Sequence, residues 1–546
     1  MIRRMATATT TPFTEAPQFF LDREAFIRLV REANYDGAAE LIVGAPADWK
    51  PPGIDANSAA GLRFLSMIAD VFDYAGFYDR ARKIIFDYGE CACSRLSSIQ
   101  SRVDMFDLAL GKQECWAALM VGMSFYRIRN YKEATRYFKT SLRVLRMINE
   151  KVSCCGAMVR AFYCLGLIAR QTRCNEEARE ALLSAIEIGG SAIAERSGRR
   201  APVACLQYDI ARCYGLGLGW LCYNEGDFSN ATAHLETSRR ALAGKSARYI
   251  RAHNDIVYAC VTLSRYSSKP DKVGEAIGVL QTALGLLSRG GQRGHIPYTL
   301  RAKTELALAY IKRAKAGNAE ERAAALQTAL DYIKQVKQSW DETDKITICR
   351  ALIAESRIYR ELGGNSNTRI AVERAREADE VGGSTDFTDA DCALNLGEAE
   401  FALGDYARAI ECFTLALSRA RNSEKILAVS HLHLCRACLR SNQPAEASLH
   451  FNIWKTFAPR MRNAYILELG VSVEAEMGAA TRKFEIEPEA PSLFAKEHLL
   501  NLRQWLAKTA LGRCNDDHGE AAALLGIGPG ALRNWLYRKS NANGEI

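Results

Sequence analysis

Four segments of the chain share one spacing of small and apolar residues, and that spacing leaves few folds open. They are VGMSFYRIRNYKEATRYFKTSL (121–142), LGLIARQTRCNEEAREALLSAI (165–186), LGWLCYNEGDFSNATAHLETSR (218–239) and LGEAEFALGDYARAIECFTLAL (396–417). In each, a Gly precedes an Ala by twelve residues, an apolar residue follows that Ala by four, and a small residue comes three further on. In order these are Gly122, Ala134, Phe138 and Ser141; Gly166, Ala178, Leu182 and Ala185; Gly219, Ala231, Leu235 and Ser238; Gly397, Ala409, Phe413 and Ala416. Steps of three and four place residues on one face of a helix. Small residues let two antiparallel helices approach closely, and the larger apolar residue plugs the space between them. Each pair then exposes an apolar face that only its neighbours can cover, so the pairs must stack.

This pattern resembles the tetratricopeptide repeat family, over most of residues 20–480. Weaker copies anchor on Ala81, Ala276 and Ala447, with Ala69, Ser264 and Cys435 in the Gly position. Successive anchors lie 38 to 53 residues apart, against a usual unit of about 34, so helices or loops here are longer than standard. Two further pairs fit between Ala276 and Ala409, LRAKTELALAYIKRA with AAALQTALDYIKQV and ICRALIAESRIYRELGG with RIAVERAREADEV. The resemblance implies an all-α fold, a tetratricopeptide-like α-α superhelix or solenoid over residues 21–484, behind a flexible tail at 1–20. It also implies a concave face that binds a protein or peptide partner, hence recognition and not chemistry.

The C-terminus breaks this pattern. EIEPEAPS (485–492) carries three acids and two prolines and reads as a linker. Beyond it, in residues 493–546, Leu499, Leu502, Leu506 and Ala510 recur at helical spacing, and two short helices follow in DDHGEAAALLG and GPGALRNWLYRK. Ala522 is small enough for a helix crossing, Gly526 four later suits a tight turn, and Leu532 six later fills the gap. The segment CNDDHGEAAALLGIGPGALRNWLYR resembles the Fis-type helix-turn-helix. The resemblance implies that the second helix enters the major groove of double-stranded DNA as part of a homodimer. Mapped onto this chain, Gly530, Arg533, Asn534 and Tyr537 face the bases, and Arg513, Arg538 and Lys539 hold phosphates. Gly528, Pro529 and Gly530 offer backbone and little side chain where bases would be read, so sequence preference leans on Arg533 and on DNA shape. The alternative is that the same two helices cap the array or dock a protein.

Composition narrows the remaining classes. With 48% hydrophobic and 25% charged residues the chain is a folded protein, and no apolar run approaches a membrane span. Its N-terminus, MIRRMATATTTPFTEAP, lacks the apolar core of a secretory signal. A net charge of +9 permits an anionic partner without demanding one. The 17 cysteines lie scattered through helical stretches, as buried thiols of a cytoplasmic protein would. Cys435 and Cys438, with His431 one turn earlier, fall on packing positions of the repeat and argue against a metal. The loops RGGQRGH (289–295) and ERSGRR (195–200) lack the ending of a phosphate loop. No catalytic motif is present, so no enzymatic activity, metal or cofactor is expected. The combination reads as a DNA-binding transcriptional regulator whose array binds a controlling partner. A scaffold or adaptor that uses the helix-turn-helix for docking is the alternative.

Overall fold

The structure, a computed structural model, describes residues 21–484 and 504–537 apart from short stretches and single positions between helices, the longest being 99–107, 197–203, 289–295 and 383–388. The tail at 1–20, the linker at 485–492, and Leu499 and Leu502 lie outside the described residues. Among the described residues every regular element is helical. The chain forms two compact units, residues 1–362 and 363–546.

Unit 1 opens with two short helices, α1 (Arg23–Arg31) and α2 (Tyr35–Ile42). Helix pairs come next: α3 (Ala59–Tyr74) with α4 (Tyr78–Ser98), α5 (Leu108–Arg127) with α6 (Tyr131–Ile148), and α7 (Cys155–Gln171) with α8 (Asn175–Arg196). The first helix of the fourth pair is a composite rod. It comprises α9 (Ala204–Arg212), a π-helical stretch Cys213–Gly219 and α10 (Trp220–Glu225), and it pairs with α11 (Phe228–Ala241). Then come α12 (Arg248–Arg265) with α13 (Pro270–Ser288), α14 (Ile296–Ala316) with α15 (Ala319–Lys337), and α16 (Lys345–Leu362). Unit 2 contains α17 (Asn365–Gly382), the pairs α18 (Asp389–Leu403) with α19 (Tyr406–Arg419) and α20 (Glu424–Arg440) with α21 (Pro444–Phe457), and α22 (Ala464–Phe484). Two terminal helices, α23 (His518–Leu524) and α24 (Pro529–Tyr537), complete it.

The repeated spacing is visible as close packing. A Cβ built on Gly122 would stand 2.5 Å from a ring carbon of Phe138, and one on Gly397 would stand 2.5 Å from Phe413. At Gly166 the plug is Leu182, 2.7 Å away, and at Gly219 it is Leu235, 3.0 Å away. Ala134, Ala178, Ala231 and Ala409 are fully buried beside these plugs. Leu182 also reaches Gly217 of the π-helical stretch, 2.5 Å from the position of an added Cβ, so one leucine seats two successive first helices. The turn inside three pairs is shared as well. Arg129, Gly226 and Gly404 take positive φ, and the next residue caps the second helix. Asn130, Asp227 and Asp405 accept the backbone N–H of Glu133, Asn230 and Arg408.

First helices of successive pairs also touch one another, α3 with α5, α5 with α7, α7 with α9, α12 with α14 and α14 with α16. Second helices touch less, most closely α4 with α6. Helices packed tightly on one side and splayed on the other make a curved stack, with the first helices as its inner row. One continuous apolar core runs through unit 1 from Leu21 to Ala309, and another through unit 2 from Ala393 to Val473. The array is therefore a tetratricopeptide-like helical solenoid in each unit.

Replacing Gly122 by Leu forces the Phe138 ring out of its seat and is expected to cost about 1–3 kcal/mol, as overpacking of a tight core does. Gly278→Ala, at a helical site with nothing within 4 Å of the added Cβ, serves as the control and leaves stability unchanged or slightly raised. Thermal unfolding followed by circular dichroism compares the two.

Candidate functional site

Charged and aromatic side chains of the inner row in unit 1 converge under α2. Asn34 starts this helix by accepting the N–H of Gly37 at 2.9 Å. The first turn carries Tyr35 and Asp36 inward. Tyr35 stacks on Tyr208 of α9 with ring centroids 4.3 Å apart and an interplanar angle of 10°, and its hydroxyl donates to Asp70 of α3 at 3.1 Å. Asp36 accepts from the Tyr74 hydroxyl at 2.5 Å and from the Arg248 backbone N–H at 3.2 Å. The Arg248 side chain lies 3.3 Å from the same carboxylate.

Beneath this contact lies Arg160 of α7, 1% exposed. Its guanidinium bridges Asp70 at 2.7 Å and Asp209 of α9 at 2.8 Å. Two carboxylates on one buried guanidinium leave a local negative excess, which Arg212 offsets from 3.7 Å. Burial pushes the Asp209 carboxyl above its ordinary value in spite of Arg160 and Arg212. At Asp73 burial acts in the same direction, but Arg127 outweighs it and holds the carboxyl below its ordinary value. That pair is bidentate, at 2.9 and 2.8 Å, and Arg127 also lies over the Tyr78 ring at 4.4 Å. Further along the row, Trp220 has Arg301 over its face at 4.0 Å and Arg170 at 5.8 Å. The buried Nε atoms of Arg170, Arg212 and Arg301 have no hydrogen-bond partner. Guanidinium groups forked onto carboxylates and laid over aromatic faces tie first helices together here.

The repeat spacing gives no sign of this network. The signal that would have found it is a charge inside an otherwise apolar run on a first helix, as in MIADVFDY (67–74), AMVRAFYCL (157–165) and LQYDIARCY (206–214). A charge buried on such a face must be paired.

The terminal helices form a small core of their own. Leu532 of α24 is fully buried with Ala522 of α23, beside Ala507, Ala510 and Ala521. Asp517 caps α23 by accepting the N–H of Gly519 at 2.7 Å and of Glu520 at 2.9 Å. The chain then turns with the Ile527 N–H on the Ala522 carbonyl, and Pro529 opens α24. Gly530, Arg533 and Asn534 are exposed on α24. Tyr537 is its last residue, with a side chain outside the description, and Arg513, Gly526, Arg538 and Lys539 lie outside the described residues.

In unit 2, His431 and His450 face each other with their Nδ1 atoms 3.0 Å apart. Burial pushes both imidazoles down to about 4, His450 adding to the effect on His431. Cys435 and Cys438 are buried thiols pushed up to about 12 and about 11, chiefly by burial. Among the described residues there is no group of three or more His, Cys, Asp and Glu placed to hold a metal ion, and no helix is long and apolar enough to cross a membrane.

The family model for the tetratricopeptide repeat matches residues 390–423, which hold the α18/α19 pair with Gly397, Ala409 and Phe413. No curated protein matches the chain. Similar solved structures include the Rap protein complexed with Competence and Sporulation Factor, at 13% identity and a TM-score of 0.45, covering 77% of this chain and 100% of that one. IFIT1 with m7Gppp-AAAA aligns at 12% identity and a TM-score of 0.41 over 94% of each chain. Yeast Tom70 aligns at 11% identity and a TM-score of 0.38, over 87% of this chain and 97% of its own. Tetratricopeptide repeats suggest a protein-interaction role, since stacked pairs present one extended surface.

Two substitutions test the buried charges. Arg160→Met leaves Asp70 and Asp209 buried without their bridging cation and is expected to cost about 3–5 kcal/mol. Adding Asp70→Asn and Asp209→Asn to it restores part of the loss, read as recovered thermal midpoint. The histidine pair gives a pH dependence. Its folded-state values of about 4 lie below the ordinary 6.5, so unfolding takes up protons. The contribution is whole above about pH 6.5 and is lost as pH falls toward 4. In His450→Leu the slope of thermal midpoint against pH over that window becomes shallower.

Proposed function

We propose that the chain is a non-enzymatic, cytoplasmic regulator in which the inner face of the helical array receives a protein or peptide partner and the terminal helix pair, a Fis-type helix-turn-helix, holds double-stranded DNA. One observation carries the DNA reading. Two short helices close on a core of their own around Ala522 and Leu532, and the second presents Arg533 and Asn534 to solvent. Arg is the side chain that forks onto guanine, and Asn the one that forks onto adenine. Basic residues at Arg513, Arg538 and Lys539 supply phosphate contacts by their place in the sequence. Two-fold half-site geometry makes a homodimer the working form. A partner on the array regulates DNA binding only if it favours one arrangement of the chain over another.

The test compares the full chain with Arg533→Ala/Asn534→Ala for binding to a pool of genomic DNA fragments at two salt concentrations. A good base contact contributes about 1–3 kcal/mol of discrimination, so the double variant should lose selected fragments while keeping weak, salt-sensitive binding and an unchanged circular dichroism spectrum. No enrichment by either protein sinks the DNA reading and leaves the terminal pair as a docking module on a scaffold, and identical enrichment by both takes base reading away from Arg533 and Asn534.

A further inference from the structure

Helices α1 and α2 reach further along the array than an end cap needs to. An end cap covers the pair next to it in sequence, here α3 and α4. Both helices do pack on α3, but α1 also touches α9 and α2 also meets Tyr208 and Arg248 far along the chain. Asp36 is held by Arg248, 212 positions away, and the Cys205 thiol donates to the carbonyl of Val30, 175 positions away. The segment thus covers the inner row across α3, α9 and α12, the surface on which this fold offers recognition.

Three features mark the covering as reversible. First, α1 has nine residues and α2 eight, too few to stay helical alone in water; their order comes from docking, and lifting them is a local unfolding. Second, beside the apolar contact made by Phe26, Val30, Ala38, Ala39 and Ile42, the segment is held by an ionic one. Asp36, Arg248, Asp70 and Arg160 regain water when α2 leaves, and restored hydration offsets much of the attraction lost between buried charges. Third, the groups that receive Asp36 are all donors, the Tyr74 hydroxyl and the backbone N–H and guanidinium of Arg248. That arrangement favours an incoming carboxylate over a cation.

The docked segment shows the chemistry that fits. Tyr35 gives an aromatic face to Tyr208, and the adjacent Asp36 gives a carboxylate to Tyr74 and Arg248. We propose that α2 is a built-in stand-in for the partner, and that the partner is a peptide segment carrying an aromatic residue next to a carboxylate, which displaces α2 from the inner face. This rests on the reading of the array's inner face as the recognition surface.

The probe is a fluorescent peptide with the sequence of residues 34–42, NYDGAAELI, followed by anisotropy with full-length protein. The Tyr35→Ala/Asp36→Ala protein, in which α2 is loosened and the receiving side is intact, should bind it at least tenfold tighter than wild type. Adding Arg248→Ala should remove that gain, as should a peptide with Ala at its Tyr and Asp positions. Equal affinity for all proteins, or no binding by a variant whose circular dichroism is native, overturns the proposal. If the loosened variant does not fold, trypsin on wild type decides. Excess peptide should speed cleavage after Arg28 and Arg31 of α1 several-fold, and an unchanged rate overturns the displacement. Failure of the α2 proposal alone is distinguishable from failure of the broader reading. A protein partner that binds unit 1, leaves those sites protected and ignores the peptide retains recognition by the array while overturning α2 as stand-in.

Discussion

Everything in the array depends on the seat that a glycine on one helix gives to a large side chain on the next. With ring or branched carbons only 2.5 to 3.0 Å from where a Cβ would be at Gly122, Gly166, Gly219 and Gly397, no other residue fits without displacing its neighbour. The seat draws the two helices of a pair together. Because the plug comes from the second helix and the seat from the first, the four pairs built on this seat close in the same sense. Same-sense closure turns a string of hairpins into a stack with a defined inner row, and it lets residues as far apart as Tyr35, Asp70, Arg160 and Tyr208 meet. The π-helical stretch within the fourth pair extends the rule, since Gly217 lets Leu182 serve two first helices. An added residue in the helical turn shifts the register of the residues beyond it.

The inner row so formed is charged, and burial sets the terms. A guanidinium as deep as Arg160 is tolerable only with its carboxylates in place, which makes Asp70 and Asp209 obligatory partners and ties α3, α7 and α9 together. The same side chains support Tyr35 through Asp70. Holding α2 and holding the row are one network, so whatever lifts α2 also changes the hydration of Arg160. Under the proposal that a partner displaces α2, packing alone would carry its arrival into the row.

The sequence showed the fold well where its rule used glycine and alanine, and poorly where other small residues stand at those positions. In α16, Ser356 is fully buried in the position that Gly holds elsewhere, and in α17 Thr368, twelve residues on, is buried in the place of Ala. A pattern keyed to Gly and Ala passes over both. The fully buried Ala276 and Ala447 were legible because they kept the alanine. The inner-row charges were illegible for another reason: Asp70, Arg160 and Asp209 are separated by 90 and 49 positions, and nothing local says that they meet. The covering of that row by α2 was equally beyond reach, since an aromatic and an acid at a helix start look like any solvated first turn. At the C-terminus, by contrast, Ala522 and Leu532 are near in sequence, and their burial in one core is dictated by spacing alone.

If unit 1 carries a recognition surface covered by its own N-terminal helices, that cover must open without the rest of the core. Hydrogen exchange of the full chain, read by mass spectrometry on fragments spanning α1–α2 and α5–α8 at low and high salt, is the decisive experiment. A removable cover requires α1–α2 to exchange through a local opening, many-fold faster than α5–α8, and to speed up further as salt screens the contacts of Asp36 and Arg248. Exchange of α1–α2 at the same slow rate as α5–α8, indifferent to salt, would rule the cover out and make these helices a permanent part of the core.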